Sequence, residues 1–212
     1  MVKTNIKSII IPVYKNEESI PALIEELKLI KKKLAGKTEV VFVVDGSPDK
    51  SYELLNALLP DGGLNAQLIA LSRNFGSYAA IKKGLEVARG EYFGVMAADL
   101  QEPPELIIES FEALDTNEYD VVVGARASRV DHFMKTLTSQ MFWFFYKKCV
   151  VPDMPAGGVD IFSCNQIFRE QLLHMDEAHS SLIAQIFCAW FQKKNYLLPS
   201  SKTHAWRISL DI

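Results

Sequence analysis

The sequence predicts an α/β fold: an open, mostly parallel sheet with helices on its faces. Three observations carry this. Short apolar segments alternate with helical patterns through roughly the first 126 residues, a spacing that implies right-handed crossovers and parallel strands. Most of these segments end in a polar cluster, and parallel strands bring all their carboxyl ends to one edge, where such sheets keep their ligand sites. The chain has 212 residues, 49% hydrophobic and 23% charged, which is enough for one domain, or one large domain with a small appendage, around a real core.

The elements follow in order. Ser8-Ile9-Ile10-Ile11-Pro12-Val13 is a first strand, apolar on consecutive positions as parallel strands are. After the polar turn Tyr14 to Glu18, Ser19 is placed to cap a helix whose Ile20, Leu23, Ile24, Leu27, Ile30 and Leu34 recur at helical spacing. Lys31, Lys32 and Lys33 suit the negative end of its dipole, and Gly36 ends it. Glu39 to Val44 is the second strand, closed by Asp45-Gly46-Ser47-Pro48-Asp49, with a helix over Ser51 to Leu59. Gln67 to Leu71 is the third, ending in Ser72-Arg73-Asn74-Phe75-Gly76 before a helix over Ser77 to Ala88. A fourth strand, Tyr92 to Ala97, precedes a helix over Pro104 to Leu114, and a fifth spans Tyr119 to Val123.

The fourth strand delivers Asp99 and Gln101 where it stops, and Pro103 and Pro104 forbid more strand while suiting a helix start. Two positions apart, Asp99 and Gln101 would point the same way from an extended backbone. Both offer hard oxygens, the donors that Mg²⁺ or Mn²⁺ prefers when it also holds substrate phosphates. The plain alternative is a helix-capping Asp followed by a polar turn.

Other classes recede. A net charge of −3 supplies no basic field for nucleic acid. No GxGxxG follows the first strand, which counts against a dinucleotide cofactor. Cys149, Cys164 and Cys188 are odd in number and scattered, pointing to reduced thiols in a cytoplasmic setting and away from structural zinc. The apolar run Ile9 to Val13 is too short for a signal peptide, and none approaches the ~18 residues of a spanning helix, so the chain reads as soluble or peripheral.

Taken together, Ile-Pro-Val-Tyr, Val-Asp-Gly-Ser-Pro-Asp, Ser-Arg-Asn-Phe-Gly and Met-Ala-Ala-Asp-Leu-Gln-Glu-Pro-Pro, in this order, resemble the inverting glycosyltransferase family 2. Within it they are most similar to the polyprenyl-phosphate branch typified by dolichol-phosphate mannosyltransferase. The likeness runs from about Ser8 to Leu198 and implies a GT-A fold, a Rossmann-like sheet flanked by helices with a C-terminal helical part facing the acceptor and the membrane. It implies a catalytic domain over 1–199, with 1–126 binding the nucleotide sugar and 127–199 the acceptor, and an atypical or truncated tail over 200–212.

The same resemblance assigns residues. Pro12, Tyr14 and Asp45 would bound the base and ribose, Asn74 and Gly76 would line the nucleotide pocket, and Asn16, Ala98 and Asp99 would also bind the nucleotide sugar. Asp99 and Gln101 would ligate Mg²⁺ or Mn²⁺. Arg126, Lys135 and Ser139 would hold an acceptor phosphate, Lys135 and Ser139 on one helix face by their separation of four. Arg126 and Asp160 would be catalytic, Asp160 as a base or as an orienting group. Where the family has Asp-Asp-Gly-Ser and Asp-Ala-Asp, this chain has Val44 and Ala97, so each motif lacks one carboxylate.

Beyond Asp131 the alternation stops. Phe142 to Tyr146 followed by Lys147 and Lys148 reads either as a core helix or as an interfacial one on lipid phosphate. Helices are expected over Gln166 to Leu173 and Ser180 to Phe191, and Lys202 or Arg207 are candidates for a cation over the diphosphate. The reading is therefore an inverting transferase moving a sugar from a UDP- or GDP-sugar to a polyprenyl phosphate at the cytoplasmic face of the membrane. Transfer to a saccharide hydroxyl and non-catalytic nucleotide-sugar binding are the alternatives.

Overall fold

The computed structural model describes residues 6–34, 37–125, 161–175, 195–199 and 204–208. Its strands are β1 (Ile6–Val13), β2 (Lys37–Asp45), β3 (Ala66–Leu71), β4 (Tyr92–Val95), β5 (Val121–Ala125), β6 (Ile161–Asn165), β7 (Asn195–Pro199) and β8 (His204–Ile208). They form one sheet in the order β3-β2-β1-β4-β6-β5-β8-β7. The pairs β3-β2, β2-β1 and β1-β4 are parallel, as expected. The fifth strand departs from expectation: β6 lies between β4 and β5, antiparallel to both. Two reversals restore direction, so β5 still ends at the same edge as β1 to β4.

Along β1, Ile9, Ile11 and Val13 enter one core cluster and Ile10 the other; along β2, Val40, Phe42 and Val44 oppose Val41 and Val43. Apolar residues on both faces explain the unbroken runs, and each fully buried Val, Ile or Leu contributes roughly 1.5–3 kcal/mol. The first face is covered by α1 (Ile20–Lys33), α2 (Ser51–Leu58) and α4 (Glu105–Asp115), through side chains such as Leu23, Leu55 and Phe111. The second is covered by α3 (Ser77–Val87) and α5 (Gln166–His174), through Ala80, Leu85, Phe168 and Leu172. Free Cys164 is buried in this second layer, and burial pushes its thiol well above the usual range, with Arg169 opposing the shift.

Several local expectations shift. Ser19 occupies the N-cap of α1 without capping it; its hydroxyl donates instead to the carbonyls of Asn16 (3.1 Å) and Ala98 (2.9 Å), tying the helix start to the end of β4. β4 stops at Val95 rather than Ala97, after which Met96 N donates one more bond to Ile10 O (3.1 Å). Pro12 shares the β4-facing side of β1 with Ile10, beyond the end of that ladder, so its missing N–H costs no strand bond. β5 begins at Val121, and just before it Asp120 O accepts from Asn165 N (2.9 Å), one more backbone bond in line with the β5–β6 pairing. The sequence pattern predicts neither β6 nor the β7–β8 hairpin, in which Arg207 pairs with Val122 on one side and Tyr196 on the other.

Close packing explains one glycine. A Cβ on Gly94 would lie 2.5 Å from Ile107 Cδ1 and 2.9 Å from Phe111 Cζ, so any side chain there must displace the tips with which α4 seats on β4. At the opposite edge from the strand ends, two polar groups brace the sheet. Buried Lys7 pairs with Asp115 at 2.6 Å. Buried Glu39 accepts from Ser8 Oγ (2.7 Å), Arg89 N (2.8 Å) and Gln67 Nε2 (2.9 Å). Among the described residues, no helix is long and apolar enough to cross a membrane.

Candidate functional site

The carboxyl ends of β1 to β4 carry loops that the sequence marks as polar, and the β2–α2 loop organises its neighbours. Asp45 ends β2 almost wholly buried, at 3% exposure. Its Oδ1 accepts from Phe75 N and its Oδ2 from Gly76 N, each at 2.8 Å, so the carboxylate clamps the loop after β3. Gly76 N also donates to Asn74 Oδ1 (3.0 Å), and Gly76 begins α3 with φ +94°. Beneath this loop Gly46 has φ +58°, and a Cβ there would come within 2.2 Å of the Arg73 carbonyl carbon. Only glycine fits that turn.

Asp49 does the corresponding work for the loop after β1. It accepts from Ser47 Oγ (2.6 Å), Ser51 N (3.2 Å) and Glu17 N (3.1 Å), while Ser47 Oγ accepts from Lys15 N (2.7 Å). Glu17 answers by accepting from Lys50 N at 2.8 Å. Partial burial would raise the Asp49 pKa, but the hydroxyls of Ser47 and Ser51 and the N–H groups of Glu17 and Ser51 outweigh it and lower it to about 2. Asp49 is not among the residues expected at the site. Its signal in the sequence is the spacing of Ser47, Asp49 and Ser51 on a turn before a helix.

These loops enclose a cleft of about 460 Å³ lined by Lys15, Asn16, Glu17, Glu18, Ser19, Pro48, Asp49 and Asp99. Of the residues expected at the site, Asn16 and Asp99 line it. Asn16 Oδ1 accepts from Tyr14 N (2.9 Å), and Asn16 N donates to Ser51 Oγ (3.2 Å). Tyr14, Asn74, Gly76 and Gln101 stand on the same edge outside the cleft lining. Tyr14 is 41% exposed under the Lys15 ammonium (5.4 Å), and Phe75 is 49% exposed under the Arg73 guanidinium (4.8 Å). Pro12 is half-buried within β1.

Three local details concern the expected residues. Ala98 has its methyl in the core and its carbonyl accepting the Ser19 hydroxyl, outside the cleft lining. Asp45 has both oxygens committed to the loop after β3. Asp99 and Gln101 are not joined by extended backbone, because Leu100 between them has φ +55° and Gln101 N donates to Asp99 Oδ1 (3.2 Å). That turn leaves Asp99 exposed, with its other oxygen in no hydrogen bond among the described residues. Arg126, Lys135, Ser139, Asp160 and Lys202, the aromatic run 142–146 and the helix expected over 180–191 lie outside the described residues.

The donor set bears on a metal. Among the described residues there is no group of three or more His, Cys, Asp or Glu side chains able to hold an ion alone. After β4 the edge offers the exposed carboxylate of Asp99 and, two residues on, the amide of Gln101. Hard oxygens in that number suit a cation whose remaining ligands are phosphates and water. The cleft also sets Glu17, Glu18, Asp49 and Asp99 against one cation, Lys15. A diphosphate would be repelled there without a counter-cation, so the residues fit Mg²⁺ or Mn²⁺.

Residues 8–175 match the family described as Glycosyl transferase family 2. The chain belongs to that family. Among curated relatives, it is 35% identical over 170 residues to the undecaprenyl-phosphate 4-deoxy-4-formamido-L-arabinose transferase of Yersinia pestis (strain Pestoides F), covering 80% of this chain and 52% of that one. It thus spans about half the length of the curated relatives it matches. Among solved structures, it resembles the mannosyltransferase PcManGT from Pyrobaculum calidifontis in complex with GDP-Man and Mn2+, with a TM-score of 0.59 and 16% identity over 84% of this chain and 49% of that one. It also resembles glucosyl-3-phosphoglycerate synthase from Mycobacterium tuberculosis in complex with UDP, with a TM-score of 0.54 and 17% identity over 79% and 58%. At these identities the structures establish the fold alone, and it is the GT-A fold: four parallel strands, an antiparallel β6, and helices on both faces.

Proposed function

We propose that this family 2 chain is the donor-binding and catalytic part of an inverting glycosyltransferase, moving a sugar from a nucleotide diphosphate to a polyprenyl phosphate. The observation that carries the proposal is the exposed Asp99, with Gln101, beside an acidic cleft at the carboxyl edge of the sheet. The naming of a curated relative as an undecaprenyl-phosphate transferase supports the acceptor class. Asp99 and Gln101 would hold Mg²⁺ or Mn²⁺, which when bound offsets leaving-group charge on the diphosphate as a Lewis acid. Tyr14 and Asn16 would flank the nucleotide, with Asn74 and Gly76 shaping its pocket from a loop that Asp45 fixes.

Val44 bears on competence. Its side chain packs in the core at 3% exposure, so the motif's missing carboxylate falls at a buried position. Arg126, Lys135 and Ser139 are proposed to hold the acceptor phosphate and Asp160 to orient it. A phosphate monoester is already nucleophilic at neutral pH, so no strong base is required. Such an acceptor is embedded in a bilayer, so we place the protein peripherally at the cytoplasmic membrane face, with 1–126 serving the donor, 127–199 the acceptor and 200–212 as a tail. The test is transfer of radiolabelled sugar from UDP- and GDP-sugars with Mn²⁺ to undecaprenyl phosphate in detergent. Label in the lipid phase, lost in Asp99→Ala, is expected. Hydrolysis or binding without lipid-linked product from any donor would overturn the acceptor assignment.

A further inference from the structure

β2 stands between β3 and β1 in the sheet, and the two carboxylates of its loop reach in opposite directions. Asp45 grips the loop after β3, whereas Asp49 grips the loop after β1, directly at Glu17 N (3.1 Å) and through Ser47 Oγ at Lys15 N (2.7 Å). Lys15 itself is left-handed, with φ +56°. A lysine adopts that conformation at a cost and keeps it only where its surroundings impose it. The Lys15 N–H is held by Ser47 Oγ, while on either side Tyr14 N donates to Asn16 Oδ1 (2.9 Å) and Asn16 N to Ser51 Oγ (3.2 Å).

We infer that Asp49 is a positioning residue for donor binding: acting through Ser47, it holds Lys15 in the left-handed turn that sets Asn16 in the cleft lining and Tyr14 on the edge beside it. The inference rests on the proposed function for its donor readout. A purely structural role is the competitor, because Asp49 also accepts from Ser51 N at the start of α2 (3.2 Å). That role would change stability without any special coupling to the backbone of residue 15.

The coupling is therefore the test. Calorimetric titration of UDP, GDP, UDP-glucose and GDP-mannose with Mn²⁺ gives Kd for the wild type and for Asp49→Asn, each also carrying Lys15→Gly. Glycine enters a left-handed turn without a brace. With Lys15 in place, Asp49→Asn should raise Kd about ten-fold, and in the Lys15→Gly background by no more than about three-fold; the cycle removes any contribution of the lysine side chain itself. An equal penalty on both backgrounds, or none on either, overturns the inference. If Asp49→Asn does not fold, Ser47→Ala removes only the relay and is read in the same way. If the wild type binds none of the four nucleotides, the functional reading fails, and amide hydrogen exchange decides the brace separately. Exchange at Lys15 and Glu17 should quicken at least about ten-fold in the variant; unchanged rates would overturn it.

Discussion

Substituting Asp45 by Asn changes one atom at the point where β2 meets the loop after β3. In the wild type its two oxygens each accept a backbone N–H at 2.8 Å, from Phe75 and Gly76, in a site almost closed to water. The amide keeps one acceptor and turns an NH₂ toward the other N–H, so one charge-assisted bond is lost and two donors face each other. A hydrogen bond to a charged group is worth about 1.5–3 kcal/mol. Gly76 N retains Asn74 Oδ1 at 3.0 Å, which softens the loss if the amide settles with its NH₂ there. The expected destabilisation is therefore about 2 kcal/mol. With a urea m-value of roughly 2 kcal/mol/M, the midpoint should fall by about 1 M, followed by far-UV circular dichroism. Asp45→Ala, which strands Phe75 N and leaves Gly76 N with Asn74 Oδ1 alone, should fall further. A shift below about 0.2 M for Asp45→Asn, the range of an ordinary surface change, would refute the clamp.

Two further predictions follow from the same hydrogen-bond geometry. Glu39→Ala strands three donors around a buried carboxylate, so it should cost about 3–5 kcal/mol and lower Tm by roughly 10 °C in calorimetry, with Glu39→Gln milder; a drop under about 3 °C would mean that water satisfies the site. Asp49 has its pKa lowered from 3.8 to about 2, so its contribution to stability is complete above about pH 4 and is lost as pH falls toward about 2. Urea midpoints measured across that window should decline more steeply in the wild type than in Asp49→Asn, and parallel curves would contradict the assigned network.

The fold was largely legible because its first half is built from local signals. Apolar runs on β1 and β2, the helical spacing on α1 and the basic last turn before Leu34 all match what the structure shows. What escaped was non-local. Ile161 to Asn165 is only five residues, and its insertion between β4 and β5 is set by pairing with Val95 and Val123 across long sequence separations. No periodicity encodes a strand order.

The site was legible in the same uneven way. Asp99 could be read as important because it follows a buried strand and precedes two prolines. Its relation to Gln101 could not, because nothing about Leu100 announces a left-handed backbone as a glycine would. Asp45 and Asp49 look alike on paper, as carboxylates flanking Gly46. Only the structure distinguishes a buried clamp on Phe75 and Gly76 from a half-buried hub serving Ser47, Glu17 and Ser51.

The central claim is a metal-assisted sugar-nucleotide site at Asp99, and thermal shift tests it most directly. UDP, GDP and their glucose and mannose conjugates would each be added with and without Mn²⁺, to the wild type and to Asp99→Ala. A ligand at about 100 times its Kd stabilises the native state by about 2.7 kcal/mol, or roughly 5–10 °C for a chain of this size. A Mn²⁺-dependent shift of that order with one sugar nucleotide, absent in Asp99→Ala, is the predicted result. Equal shifts with and without metal, or in wild type and variant alike, would contradict the account.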